Sequence, residues 1–304
     1  MTAPGFSLVS TPRIMSVVLL ALLPGLGVSA YFLGPGVLVN VLTATATVLL
    51  LEAFILRIRG MNMASVFDGS AVLTAFILAL ALPPDLPFWM TALGSGFAIV
   101  FGKHLYGGLG QNPFNPAMVG YAVLIISFPL AMSTWPSMVD GITAATPLDT
   151  MKFRGTKTVE DIWVIENGFT NLGGVGWQWI NLAYLAGGAL LLLLNVIRWQ
   201  APLAMLLTLT VLSAVFYDSG SAQSLGSPMF HLLSGGTMLV AFFVITDPVT
   251  SPDSDLSLLI FGIGIALITF TIRSIGAYPD GFAFAVLLMN ATAPLIDHMR
   301  LRIA

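Results

Sequence analysis

The chain has 304 residues, of which 57% are hydrophobic and only 8% charged, against roughly 25% charged in a soluble domain. Its net charge of −3 is neutral on the question of nucleic acid, but no basic stripe is available for phosphate backbones, so no nucleic-acid partner is expected. With no cysteine it cannot form a disulfide, supply a thiol nucleophile or ligate an iron–sulfur cluster by itself.

Apolar runs of about 18 residues recur along the whole length and predict transmembrane helices. The first, "RIMSVVLLALLPGLGVSA" at 13–30, imitates a secretory signal, but it continues through Tyr31 and Phe32 into another apolar run. It reads as an uncleaved first helix. The spans fall at 13–34, 36–57, 68–82, 87–105 and 115–132, then at 178–198, 200–217, 228–247, 254–272 and 281–299. The third is short for a crossing and ends in Pro83-Pro84, as a broken or tilted segment would. A polar interruption at 133–177 divides the chain into a first membrane half (1–132), a loop, and a second half (178–304). His104, His231 and His298 have no metal-ligand spacing and read as packing or interfacial residues, so neither a metal site nor a catalytic residue is expected.

The halves resemble each other at an offset of 166 residues (Gly110 to Gly276). Within 69–117 this register matches Gly69/Gly235, Leu73/Leu239, Ala75/Ala241, Phe76/Phe242, Leu93/Leu259, Gly96/Gly262, Ile99/Ile265, Gly110/Gly276, Pro113/Pro279 and Ala117/Ala283. About four identities would arise by chance in so Leu-, Ala- and Gly-heavy a composition. Five crossings per copy force the second copy in from the opposite side, so the expected fold is all-α, about ten transmembrane helices in two inverted repeats. The helices should break at "GGLGQNPFNP" (107–116) and its mate "RSIGAYPDGF" (273–282).

Orientation follows from Lys and Arg. With a cytoplasmic N-terminus, Arg13, Arg57, Arg59, Lys103, Arg198, Arg300 and Arg302 lie inside, and only Lys152, Arg154, Lys157 and Arg273 lie outside. Both termini are then cytoplasmic and the 133–177 loop is external. Asp68, Lys103, Asp247, Arg273 and Asp280 sit at or near span ends. Each reads either as an interfacial anchor or cap, or as a functional ionisable group. Asp247, in "TDPVTSP" beside a helix break, is the preferred ion-coupling candidate, followed by Asp280.

The loop carries "DGITAATPLDT" at 140–150. By itself it reads as an exposed loop, in which Pro147 keeps Thr146 out of a regular helix. "GGLG" at 107–110 does not open a Rossmann unit, because no strand–helix alternation surrounds it. Taken together and in order, "GGLGQNPFNPAMVGY" (107–121), the loop motif, "TDPVTSP" (246–252) and "IRSIGAYPDGFAFAVLLMN" (272–290) resemble the RnfD/NqrB family over nearly the whole chain. The compact chain, lacking the long cytoplasmic N-terminal extension of the NqrB branch, is more similar to the RnfD branch.

That resemblance implies a covalent flavin. The family esterifies a threonine in Asp-x-x-Ser/Thr-x-Ala-Thr to the phosphate of FMN, and Asp140, Thr143, Ala145 and Thr146 occupy those positions. Thr146 is the implied attachment residue; Ala144 stands where glycine is frequent. The NqrB branch also implies riboflavin, or a second non-covalent flavin, near Asn112 and Asn115. These asparagines would serve the polar edge of an isoalloxazine or a backbone carbonyl. The implied role is a subunit of the Rnf complex in the bacterial inner membrane, not catalytic alone, that passes electrons between ferredoxin and NAD pathways coupled to Na+ or H+ movement. The implied partners are RnfA, RnfB, RnfC, RnfE and RnfG, a flavin transferase, and membrane lipid. The alternative is a stand-alone inverted-repeat transporter or channel for a small solute, which would have no use for a covalent flavin.

Overall fold

The computed structural model describes residues 10–136, 143–165 and 172–301. The first half contains α1 (Thr11–Leu33), α2 (Gly36–Ile58), α3 (Ser70–Ala81), α4 (Phe88–Val100), α5 (Pro116–Ser127) and α6 (Pro129–Ser133). The interruption holds β1 (Trp135–Pro136), β2 (Thr143–Ala144), α7 (Pro147–Lys152) and α8 (Val159–Ile165); the two strands pair antiparallel, Trp135 opposite Ala144. The second half contains α9 (Trp177–Leu193), α10 (Gln200–Val215), α11 (Pro228–Leu233), α12 (Thr237–Leu239), a π-helical turn at Val240–Val244, α13 (Asp255–Ile275) and α14 (Phe282–Leu301). This is an all-α, polytopic membrane architecture.

The starts follow a local rule. Asn115, Thr146 and Ser227 each cap a helix with a side-chain oxygen, and each is followed by proline in the first turn. The cap satisfies an orphan N–H, and proline has none to satisfy.

Among the described residues three helices, α1, α2 and α13, are long and apolar enough to cross a bilayer in one piece. At 12 or 13 residues, α3, α4 and α5 rise only about 18–20 Å, short of the roughly 30 Å hydrocarbon core. Three expected spans are also interrupted. The run at 228–247 is not one helix but α11, α12 and the π turn, parted at Ser234–Gly236, where Gly235 takes φ +58. The run at 115–132 is cut at Phe128, because Pro129 cannot continue the ladder and starts α6. The run at 87–105 is α-helical only to Val100. Apolar composition extended across these breaks and concealed them.

The repeat is visible in the elements themselves. From Thr11 to Trp177 and from Pro116 to Phe282 the offset is 166, so α1 begins where α9 begins and α5 where α14 begins. The contacts match too. α4 packs on α2 and α5 as α13 packs on α10 and α14, while α1 meets its own counterpart α9 and α5 meets α14. The two copies therefore share a packing order and meet each other through α1–α9 and α5–α14.

Small residues allow the close crossings that membrane helices rely on. A Cβ at Gly187 would lie 2.0 Å from the Ala21 carbonyl oxygen, and one at Gly262 2.4 Å from that of Ala201. Gly187→Val should therefore lower the thermal midpoint of the detergent-purified chain, a loss of about 1–3 kcal/mol typical of overpacking. Leu190→Val, at an exposed position of the same helix, should leave the midpoint unchanged.

Candidate functional site

Three polar clusters interrupt the apolar interior, and the first lies beneath the loop motif. Thr146 caps α7: its Oγ1 accepts from the Asp149 N–H at 3.2 Å and donates to Asp149 Oδ2 at 3.0 Å. Thr146 is half-buried, and the preceding Ala145 is exposed. Burial pushes the Asp149 carboxyl above its ordinary range, more strongly than its contacts with Thr146 and the nearby Lys152 pull it down. Burial likewise pulls the Lys152 ammonium down. Lys152 Nζ donates at 2.7 Å to the carbonyls of Ile272 and Tyr278, tying α7 to the end of α13 and the break that follows.

Beside α7 lies an ion pair between a buried Arg273 and a half-buried Asp280. The Arg273 guanidinium meets both oxygens of Asp280 at 3.2 Å and donates to Thr237 Oγ1 at 3.1 Å and the His231 carbonyl at 3.0 Å. It also sits 4.6 Å from the Phe282 ring centroid. His231 Nε2 lies 2.7 Å from the Leu225 carbonyl, so that nitrogen carries the proton and Nδ1 is left an acceptor beside Arg273. Gly235 is the meeting point. A Cβ there would lie 2.5 Å from Asp280 and 2.8 Å from Leu148 of α7.

The second cluster joins the helix breaks. Asn115 caps α5, and its backbone N–H donates to Asn290 Oδ1 at 3.0 Å. Asn290 Nδ2 donates to the Thr250 carbonyl at 3.0 Å, and Thr250 Oγ1 donates to Asp247 at 3.2 Å. Asp247 also accepts from the Val249 N–H, the geometry of a turn cap. Asn115 and Asp247, one in each half, are thus linked through Asn290. Asn112 donates to the Phe114 carbonyl, while its buried Oδ1 has no hydrogen-bond partner among the described residues.

The third cluster is in the first half. Lys103 Nζ bonds Glu52 at 2.5 Å and Ser70 Oγ at 2.7 Å, and His104 Nε2 lies 3.4 Å from the same Glu52 oxygen. Among the described residues, Lys103, three positions after α4, and Arg273, in the last turn of α13, are buried cations, one in each half but four residues out of step in the 166-residue register. Neither is an interfacial anchor.

Of the motif residues, Asp140 lies outside the described residues, Thr143 is on β2, and Ala145 and Thr146 lead into α7. Leu148, two residues after Thr146, and the Asp280–Arg273 pair both close on Gly235. Sequence reasoning passed over Asp149, Lys152, Thr237 and Asn290. Asp149 carried a signal, since an acidic residue three positions after a threonine cap is capping-box spacing. Asn290 carried none, because its partners are distant in sequence.

A family model described as the NQR2, RnfD, RnfE family matches residues 6–303. The chain is 47% identical over 309 residues to a Pseudomonas aeruginosa (strain LESB58) protein named as the D subunit of an ion-translocating oxidoreductase complex, covering 95% of this chain and 90% of that protein. It is 46% identical over 325 residues to a Salmonella heidelberg (strain SL476) protein of the same name, covering 95% and 92%.

Removing the Arg273 charge strands Asp280. Arg273→Met should destabilise the detergent-purified chain by about 1–3 kcal/mol, below the cost of breaking a fully buried pair because Asp280 is half-buried, read as a lowered thermal midpoint. The double variant Arg273→Met/Asp280→Leu should recover most of that loss.

Proposed function

The chain belongs to the NQR2, RnfD, RnfE family, and on that premise we propose that it is the D subunit of an Rnf-type ion-translocating oxidoreductase complex, carrying FMN esterified to Thr146. The single observation that supports the attachment most directly is the setting of Thr146. Its hydroxyl is half-buried at a helix start, beside a cavity of about 550 Å³ lined in part by Leu130, Ala145, Asp149, Phe153, Arg154 and Lys157. That volume lies within the roughly 300–1,000 Å³ of small-molecule sites. Its apolar walls suit a flavin ring, and its cations suit a phosphate.

When bound, the flavin supplies one- and two-electron transfer. The residues of the chain do the rest. Thr146 would tether, Leu130 and Phe153 would offer exposed apolar surface to the ring, Arg154 and Lys157 would offset negative charge, and Lys152 holds α7 on the second half. Arg154 is well placed for a fixed role, since it donates to the carbonyls of Met151, Ala222 and Ser224. A riboflavin or second non-covalent flavin would be served by Asn112, whose buried Oδ1 has no hydrogen-bond partner among the described residues and would accept from a ring N–H. Asp247 and Asp280 are the candidates for ion coupling.

The chain would act with RnfA, RnfB, RnfC, RnfE and RnfG, after modification by a flavin transferase. It would sit in the bacterial inner membrane with both termini cytoplasmic and α7 external. Its electrons would run between ferredoxin and NAD pathways and drive Na+ or H+ movement.

Denatured, purified chain should retain flavin fluorescence in a gel, and Thr146→Ala should abolish it, with Thr143→Ala reducing it less. Fluorescence persisting in Thr146→Ala would overturn the attachment residue.

Coupling has its own readout, flavin content alongside ferredoxin-dependent NAD reduction in sealed vesicles. Asp247→Asn should keep the covalent flavin and complex assembly while slowing turnover. Asn115→Ala should deplete the non-covalent flavin. Unchanged turnover in Asp247→Asn would leave that residue a turn cap.

A further inference from the structure

The proposal below rests on Thr146 being the attachment residue. A threonine hydroxyl is a weak nucleophile until a neighbouring group takes its proton. Here the proton is already directed at a carboxylate: Thr146 Oγ1 donates to Asp149 Oδ2 at 3.0 Å. The Asp149 N–H occupies one lone pair of that oxygen, and the other is not used by either contact. The oxygen is therefore oriented as a nucleophile, with its base in hydrogen-bond reach.

We propose that Asp149 of this chain is the proton acceptor for the esterification of Thr146. The phosphoryl donor must be a flavin-bearing phosphoanhydride, because displacement from a flavin monophosphate would have to expel hydroxide. Thr146 Oγ1 attacks the flavin-side phosphorus, and the new O–P bond forms as the anhydride P–O bond breaks. The leaving nucleoside monophosphate takes the bonding pair. The hydroxyl proton passes to Asp149 and then to water, and nothing is oxidised or reduced. The flavin transferase presents the donor, and the accepting chain supplies the base.

The surroundings favour basicity. Burial raises the Asp149 carboxyl above its ordinary range, and Asp280 raises it further from the loop between α13 and α14. Tyr121 of α5 also faces it, and Arg154 and Lys157 share its cavity. Lys152, the nearby cation on α7, has its ammonium held by the Ile272 and Tyr278 carbonyls.

The Thr146–Asp149 pair also caps α7, and the test must separate the two roles. A cap requires only an acceptor, which asparagine provides; a proton acceptor requires a carboxylate. Full-length chain purified without flavin is incubated with flavin transferase and flavin adenine dinucleotide across a pH series. Covalent label is followed by in-gel fluorescence, both as initial rate and as final level. Wild type should label faster as pH rises through the raised ionisation of Asp149. Asp149→Asn should lose about 100-fold in initial rate and show no such pH dependence, while keeping the thermal midpoint and the final level. Asp149→Glu should restore part of both rate and pH profile. A wild-type rate and profile in Asp149→Asn would overturn the proposal, as would a slow rate accompanied by a reduced final level and lowered midpoint, the mark of a structural defect. If wild type accepts no label, the reading of Thr146 fails first. If wild type labels, Thr146→Ala does not, and Asp149→Asn matches wild type, only the role of Asp149 fails.

Discussion

A backbone that leaves helical geometry inside a bilayer has no water to turn to, so every break must be hydrogen-bonded from within the protein. That constraint organises this molecule. Asn40 donates to the Pro83 carbonyl between α3 and α4. Asn181 donates to the carbonyls of Leu233 and Gly235 and accepts from the Met238 N–H, spanning the gap between α11 and α12. Asn290 serves the starts and ends of two further breaks, and Lys152 closes the last. An amide side chain can donate and accept at once, which is what a broken strand of backbone requires.

The same constraint explains the buried charges. An isolated ion in lipid is costly, and a pair is tolerated when its remaining donors are satisfied. Arg273 meets that condition through Asp280, Thr237 and the His231 carbonyl; Lys103 meets it only in part, bonding Glu52 and Ser70 while the second Glu52 oxygen has no partner among the described residues. The Arg273 cluster adjoins the Thr146 segment through Gly235 and Leu148, whereas Lys103 is held within the first half by Glu52 of α2 and Ser70 of α3.

Much of this was legible in the sequence because it depends on local grammar. Gly-Pro-rich stretches marked the breaks after α4 and α13, and the 166-residue register survived as helix starts that coincide. Asn115-Pro116, Thr146-Pro147 and Ser227-Pro228 are cap-and-proline pairs whose reading needs no tertiary information. What stayed hidden was long-range. Ser234-Gly235-Gly236 lies within an apolar run, and its partner Asn181 is some fifty residues away. Lys103 and Arg273 sit at span ends, where a snorkelling anchor and a buried ion pair look alike until the neighbours are known. The family resemblance marked Thr146 but not the carboxylate three residues later.

The constant offset also bears on how such a chain tolerates insertion and deletion. One residue added within a helix turns everything beyond it by about 100°, which would swing caps, small-residue crossings and amide clamps away from their partners. The first and last helices of each copy have kept step, α1 with α9 and α5 with α14, while the helices between differ in length and shift by a residue or two. Between the copies, α7 and α8 have no counterpart in the repeat, although Lys152 fastens α7 to it. A segment released from that spacing is a place where a lineage can build a cofactor platform without disturbing the membrane scaffold that carries it.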